Sequence, residues 1–194
     1  MQVLTPEEIQ RLLIQAKEDN CFELLLLELS TGLRRGEICA LQWGDLSFRA
    51  GELRVQRQVH RVKGRLVTSP PKSKAGNRSV ILPTPVLNVL KAYKETISSR
   101  WMFPSPVSED SPRDPTEVRK RLQTVLERAE CKKIRFHDLR HPNVKPKTKI
   151  LFTKQGFKAH YFLGPKLLLL DINEPLFIVF HREIQYPNFL NYHW

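Results

Sequence analysis

Apolar residues recur at helical spacing through the opening of the chain. Ile9, Leu12, Leu13 and Ala16 fall on one face of a helix. Ahead of them stands Thr5-Pro6-Glu7-Glu8, which has the parts of a helix start: a hydroxyl to accept from free N–H groups, Pro in the first turn, and Glu three residues after the cap. A second helix is expected over Phe22 to Ser30, interrupted by Gly32, and a short third over Glu37 to Trp43, closed by Gly44 and Asp45. From Glu52 to Pro83 the period changes. Leu53, Val55, Val59, Leu66, Val67, Val80 and Ile81 lie in short β-favouring runs separated by Gly51, Lys63-Gly64 and Ala75-Gly76-Asn77, which predicts three antiparallel strands joined by two turns. Helical spacing returns at Pro85 to Ile97 and at Pro115 to Ala129, around a Pro- and Ser-rich loop from Pro104 to Pro112, and His137 to His141 is expected to open a further helix.

Beyond His141 the chain changes character. Its last 53 residues hold ten of the seventeen aromatics but only three acids, and Pro142, Pro146, Pro165, Pro175 and Pro187 prevent a long helix. No amphipathic period is visible there, and no internal repeat anywhere. The expected fold class is therefore α+β: a mainly helical domain over 1–141 with a small three-stranded antiparallel sheet, and an irregular, divergent tail over 142–194.

Composition narrows the partners. Lys plus Arg number 32 against 20 Asp plus Glu in 194 residues, a formal charge of +12, so a polyanion is the first partner to consider and nucleic acid fits best. Charge alone does not choose DNA over RNA. Cys21, Cys39 and Cys131 are far apart, with no metal-ligand spacing, which argues against a disulfide framework or a zinc site. The N-terminus has no basic segment followed by an apolar run, and Leu24 to Leu27 and Leu167 to Leu170 are far short of a bilayer span. A soluble, cytoplasmic protein without membrane partners is expected.

Three stretches carry chemistry. In Thr31-Gly32-Leu33-Arg34-Arg35-Gly36-Glu37, followed by Leu41-Gln42-Trp43-Gly44-Asp45-Leu46, a Gly-containing break between helices can project a guanidinium whose planar fork suits two phosphate oxygens. In Phe136-His137-Asp138-Leu139-Arg140-His141, a helical segment would put His137 and Arg140 on one face, able to address the same phosphate. In Pro71-Lys72-Ser73-Lys74-Ala75-Gly76-Asn77-Arg78, a lysine at a mobile hairpin tip can donate a proton to a leaving oxygen. Alone, each has a plainer account: a solvated Arg pair, surface decoration, a Lys-rich tip that keeps the protein soluble.

Together the three resemble the signature boxes of the tyrosine recombinases, the phage integrase family, over residues 1–141. The resemblance maps the first catalytic arginine to Arg34, the hairpin lysine to Lys74 with Lys72 as its competitor, and the His-x-x-Arg box to His137 and Arg140. It implies covalent phosphoryl transfer on double-stranded DNA. A tyrosine hydroxyl attacks a phosphodiester, giving a 3′-phosphotyrosyl link and a free 5′-hydroxyl, and a second strand reverses the step without metal or nucleotide cofactor. Arg34 and Arg140 would neutralise the non-bridging oxygens, His137 would hydrogen-bond or exchange protons at the same centre, and Lys74 would protonate the leaving oxygen. The four are expected to converge on one basic surface, and family members assemble as homo-oligomers on DNA.

The family's remaining landmarks are missing where they are due. A Leu-Gly-His segment and then the nucleophilic tyrosine should follow the second arginine. Leu163-Gly164-Pro165 and Asn173 stand near those places instead, and Tyr161, Tyr186 and Tyr192 lie at the wrong intervals. So abrupt a break suggests a change of reading frame or a fused foreign end. The first helix of the catalytic domain is expected almost at Met1, where family members usually carry a helical core-site-binding domain ahead of it. The expectation is a recombinase by lineage that does not cut and rejoin DNA as it stands, the alternative being a catalytically dead DNA-binding remnant. Type IB topoisomerases share the chemistry, but Thr31 to Glu37 favours the integrase branch, and an unrelated basic RNA-binding protein would need all three boxes to be coincidence.

Overall fold

Helix α1 (Pro6–Glu18) starts where its capping residues stand. The Thr5 hydroxyl accepts from the Glu8 N–H at 3.2 Å, and the Glu8 carboxylate accepts from the Thr5 N–H at 2.6 Å. The computed structural model describes residues 3–71 and 76–139 in full, and the backbone alone of Arg140, 158–163 and 166–171. The chain leaves α1 through Asn20 in the left-handed region and enters α2 (Phe22–Thr31). As expected, α1 buries Ile9, Leu12, Leu13 and Ala16, and it turns them against α2 and α5 (Pro115–Arg128). Leu24 to Leu27 of α2 are all buried, so this helix is apolar nearly all round and forms the centre of the domain, with α4 (Thr84–Glu95) on another side. Gly32 ends α2 at φ 61°, where L residues with a Cβ are strained, and its N–H reaches the Glu28 carbonyl at 2.7 Å.

The expected third helix is shorter and lies earlier: α3 spans only Arg35–Ile38, and Trp43–Asp45 forms a separate 3-10 turn. Asp45 holds that turn, accepting from the Gln42 N–H at 2.8 Å and from the Arg57 guanidinium. The expected helix at His137 is likewise a 3-10 turn, Phe136–Arg140.

The β region is antiparallel, as expected, but its strands are distributed differently. Strands β1 (Leu46–Ser47) and β2 (Glu52–Val55) pair with β5 (Arg78–Ile81) in a three-stranded sheet ordered β1-β2-β5, with Leu53 opposite Val80 and Val55 opposite Arg78. Between β2 and β5 the chain runs out and back as a separate hairpin, β3 (Gln58–Val62) and β4 (Arg65–Ser69). Lys63 and Gly64 turn it, with φ of 47° and 82°, the positive pair that tight hairpins need. Two contacts fasten the hairpin to the helices. At its base β3 packs on α3, and at its far end Arg61 donates through Nε and Nη2 to one oxygen of Asp114, at 3.0 and 2.6 Å. The other oxygen of Asp114 caps α5 by accepting from the Thr116 N–H at 2.9 Å.

Residues 146–194 form a second compact unit besides 1–145. Where no periodic pattern was apparent in the sequence, its backbone contains an antiparallel pair, β6 (Lys158–Leu163) and β7 (Lys166–Asp171).

Candidate nucleic-acid interface

Arg34 sits in extended conformation at the start of α3, just past the glycine that ends α2. Leu33 is fully buried, so the turn is anchored from inside while the Arg34 side chain stays 58% exposed. Its partner is Glu37, one turn on, whose own side chain is only 1% exposed. One Glu37 carboxylate accepts four hydrogen bonds: from the Arg34 N–H and Nη1, both at 2.8 Å, and from Arg78 Nη1 and Nη2 at 3.1 and 2.9 Å. Burial pushes the Glu37 carboxyl up, but the donors from Arg78 and Arg34 outweigh it and hold its pKa below the ordinary value. The acid is therefore ionised at neutral pH, and it pins the exposed Arg34 fork at one nitrogen.

Gly36 makes this turn possible. A Cβ there would come within 2.6 Å of the Val59 carbonyl oxygen on β3, so the close approach of α3 to the hairpin base requires glycine. Arg34, Glu37 and the hairpin base thus form one packed unit with the first residue of β5.

His137 lies in the Phe136–Arg140 turn, against which α2 packs. In a 3-10 turn residues three apart eclipse, so positions 137 and 140 share one edge more closely than an α-helix would allow. Asp138 builds the turn, accepting from the Arg135 N–H, Nε and Nη2, each at 3.0 Å. The Arg135 guanidinium beside it holds the Asp138 carboxyl down to about 2. His137 itself is exposed.

Of the expected site residues, Arg34 follows the end of α2 by three positions, and the turn bearing His137 and Arg140 packs on α2. Lys72 and Lys74 lie outside the described residues, although Arg78, four residues past Lys74, is tied to Arg34 through Glu37. Tyr161 falls on β6, of which the backbone alone is described, and Tyr186 and Tyr192 lie outside the described residues. Sequence reasoning did not single out Glu37 or Arg78. Glu37 left a local signal, its place three residues after a helix-starting Arg34, but Arg78 left none, being 41 residues from its partner. Among the described residues no group of His, Cys, Asp and Glu could hold a metal ion, and no helix is long and apolar enough to cross a membrane.

Residues 2–143 match the model of the phage integrase family. A tyrosine recombinase XerC-like protein of Caldanaerobacter subterraneus subsp. tengcongensis is 27% identical over 165 residues, covering 73% of this chain and 42% of that protein. The ICEBs1 integrase of Bacillus subtilis is 25% identical over 155 residues, covering 74% of this chain and 42% of that protein. The chain thus spans about two-fifths of the length of these relatives. Among solved structures, the Tn1549 transposon integrase in complex with circular intermediate DNA matches with a TM-score of 0.64 at 20% identity, covering 72% of this chain and 52% of that one. The XerA recombinase matches at 0.59 and 21% identity, covering 73% and 48%. At these identities the structural likeness is one of fold.

Proposed function

The chain belongs to the phage integrase family, and on that premise we propose that residues 1–141 carry the phosphate-binding part of a site for DNA strand cleavage and rejoining in site-specific recombination. The observation that carries the reading is the Arg34–Glu37–Arg78 cluster. A buried carboxylate fixes one guanidinium in place while its side chain stays 58% exposed toward a phosphate, which is electrostatic preorganisation of the kind phosphoryl transfer needs. Arg34 and Arg140 neutralise the non-bridging oxygens as the attacking oxygen bonds to phosphorus. His137 hydrogen-bonds at the same centre or takes up the proton that the attacking hydroxyl loses. Lys74 delivers the proton that the departing 5′-oxygen takes up as its bond to phosphorus breaks. The partner is double-stranded DNA, on which copies of the protein assemble, and 142–194 is a divergent appendage to this domain.

The second reading, a DNA-binding remnant without catalysis, is favoured by the missing Leu-Gly-His segment and by the spacing of Tyr161, Tyr186 and Tyr192. Covalent catalysis needs a hydroxyl in line with the scissile phosphate, and a displacement near 1 Å costs roughly a hundredfold in rate. We therefore expect the chain to bind DNA without cutting it. The test is incubation with duplexes carrying a nick beside each candidate cleavage position, followed by a denaturing gel. No covalent adduct should form, while retardation of the duplex on a native gel should weaken as salt rises. An adduct lost on changing Tyr161, Tyr186 or Tyr192 to Phe would establish the enzyme instead, and binding indifferent to salt would count against both readings.

A further inference from the structure

A cleft of about 440 Å³ opens between α5 and the strand of chain leading into the Phe136–Arg140 turn. Arg119 and Gln123 line it from the helix, and Lys133, Ile134, Arg135 and Phe136 from the other wall. The walls are fixed to each other, because the Gln123 amide donates to the Ile134 carbonyl at 2.8 Å. Ile134 and Phe136 are buried and make an apolar floor, so the charges stand on the rim.

The arginines of α5 divide into two groups. Arg121 donates to the Asp19 carbonyl and Arg128 pairs with its carboxylate, so both are committed to holding α5 on the end of α1. Arg119, on the cleft, and Lys133 opposite it are exposed, and among the described residues neither has an ion-pair partner. The acid on the lining, Asp138, is taken up by Arg135, whose side chain is nevertheless 78% exposed. The rim thus carries two cations without an ion-pair partner among the described residues and a third, Arg135, partly neutralised by Asp138 and two residues ahead of His137. Arg135 and Phe136, on the lining, directly precede His137, which puts the cleft beside the residue proposed to address the phosphate.

We infer that the cleft holds the DNA backbone beside the phosphate addressed at His137, with Arg119 and Lys133 each taking a neighbouring phosphate. The inference rests on the DNA-binding reading above and assigns these two residues a positioning part in it. They contact phosphates that do not react, and so fix the register of the strand against the reacting one.

The test uses the full chain and a short mixed-sequence duplex, with affinity followed by fluorescence anisotropy across a series of salt concentrations. Each phosphate contact contributes about 0.9 to the slope of log affinity against log salt. The Arg119→Ala/Lys133→Ala variant should lower the slope by about two, and ethylation interference at the phosphates should lose two neighbouring positions. The charge-preserving Arg119→Lys/Lys133→Arg variant should restore the slope, and a Lys17→Ala/Lys91→Ala control on other exposed surfaces should leave it unchanged. Equal slopes for the wild type and the Ala pair, or an equal loss in the control, overturn the inference. An unchanged duplex slope with loss of oligoglutamate binding assigns the cleft to an acidic protein segment and overturns it too. A wild-type chain that fails to bind the duplex at all sinks the DNA-binding reading, and the inference with it.

Discussion

Replacing Glu37 by Gln removes one charge and no volume, and its cost can be worked from the contacts. The carboxylate accepts four hydrogen bonds, two from Arg34 and two from Arg78. An amide keeps one acceptor oxygen and turns an NH2 toward nitrogens that can only donate, so at least one former bond becomes a donor facing a donor. Breaking a fully buried ion pair costs about 3–5 kcal/mol, because the surviving charge stays dry. Here the survivors are not dry: Arg34 is 58% and Arg78 30% exposed, so water takes up part of the loss. What remains is close to one or two charge-assisted bonds, about 2–3 kcal/mol. With a urea slope of about 1–3 kcal/mol per molar, the unfolding midpoint should fall by roughly 0.7–3 M at unchanged slope. The decisive assay is a double-mutant cycle with Arg78→Met, which should give a coupling of about 1 kcal/mol or more. A coupling near zero would refute the view that this carboxylate joins β5 to Arg34, whatever the single variants do.

Gly36→Ala should destabilise by about 1–3 kcal/mol, since the new methyl meets the Val59 carbonyl oxygen at 2.6 Å and only backbone can yield. Gly44→Ala, with nothing within 4 Å, should stay within about 0.5 kcal/mol in the same thermal melts, and similar losses for both would remove the steric argument. The Asp138 carboxyl is held below its ordinary value of 3.8, at about 2, so the unfolded state binds its proton first as pH falls. Its stabilising effect is complete above the ordinary value and is lost as pH drops through that window. The stability gap between the wild type and Asp138→Asn should narrow there, and a gap constant throughout would contradict the pairing with Arg135.

The helices were legible because their signals are local. Thr5 to Glu8 states both the start of α1 and how its free N–H groups are satisfied, and Gly32 marks the end of α2 by the conformation only it adopts cheaply. The antiparallel strands were legible in part, down to the Lys63-Gly64 turn, but the strand expected through Leu53, Val55 and Val59 is two, β2 and β3, and the pairing was not legible. Alternation tells which face of a strand is buried and nothing of which strand lies beside it. β2 leaves β3, its neighbour in sequence, to pair with β5. The short α3 has the same origin: Gly36 against Val59 is a contact between distant segments, and no run of residues near Glu37 announces it. Arg34, His137 and Arg140 were expected at the site because short strings surround them. Arg78 could not, since its meaning lies in a carboxylate that the fold brings to it.

Asp114 divides its two oxygens between two tasks, and the division sets what can move independently. Had one oxygen served both Thr116 and Arg61, lifting the β3–β4 hairpin would strip the cap from α5 and fray its first turn. With Oδ1 on the helix and Oδ2 on the hairpin, the arm can detach at its far end while the helix start stays closed. The Arg61 side chain is half exposed, so this tether is a weak surface pair that water and salt readily replace. The hairpin base, pressed on Gly36, is the stiffer attachment, and it sits next to Arg34. Amide exchange should therefore run fast along the outer half of the hairpin, from Arg61 to Arg65, while the first amides of α5 stay slow, as two events on separate clocks.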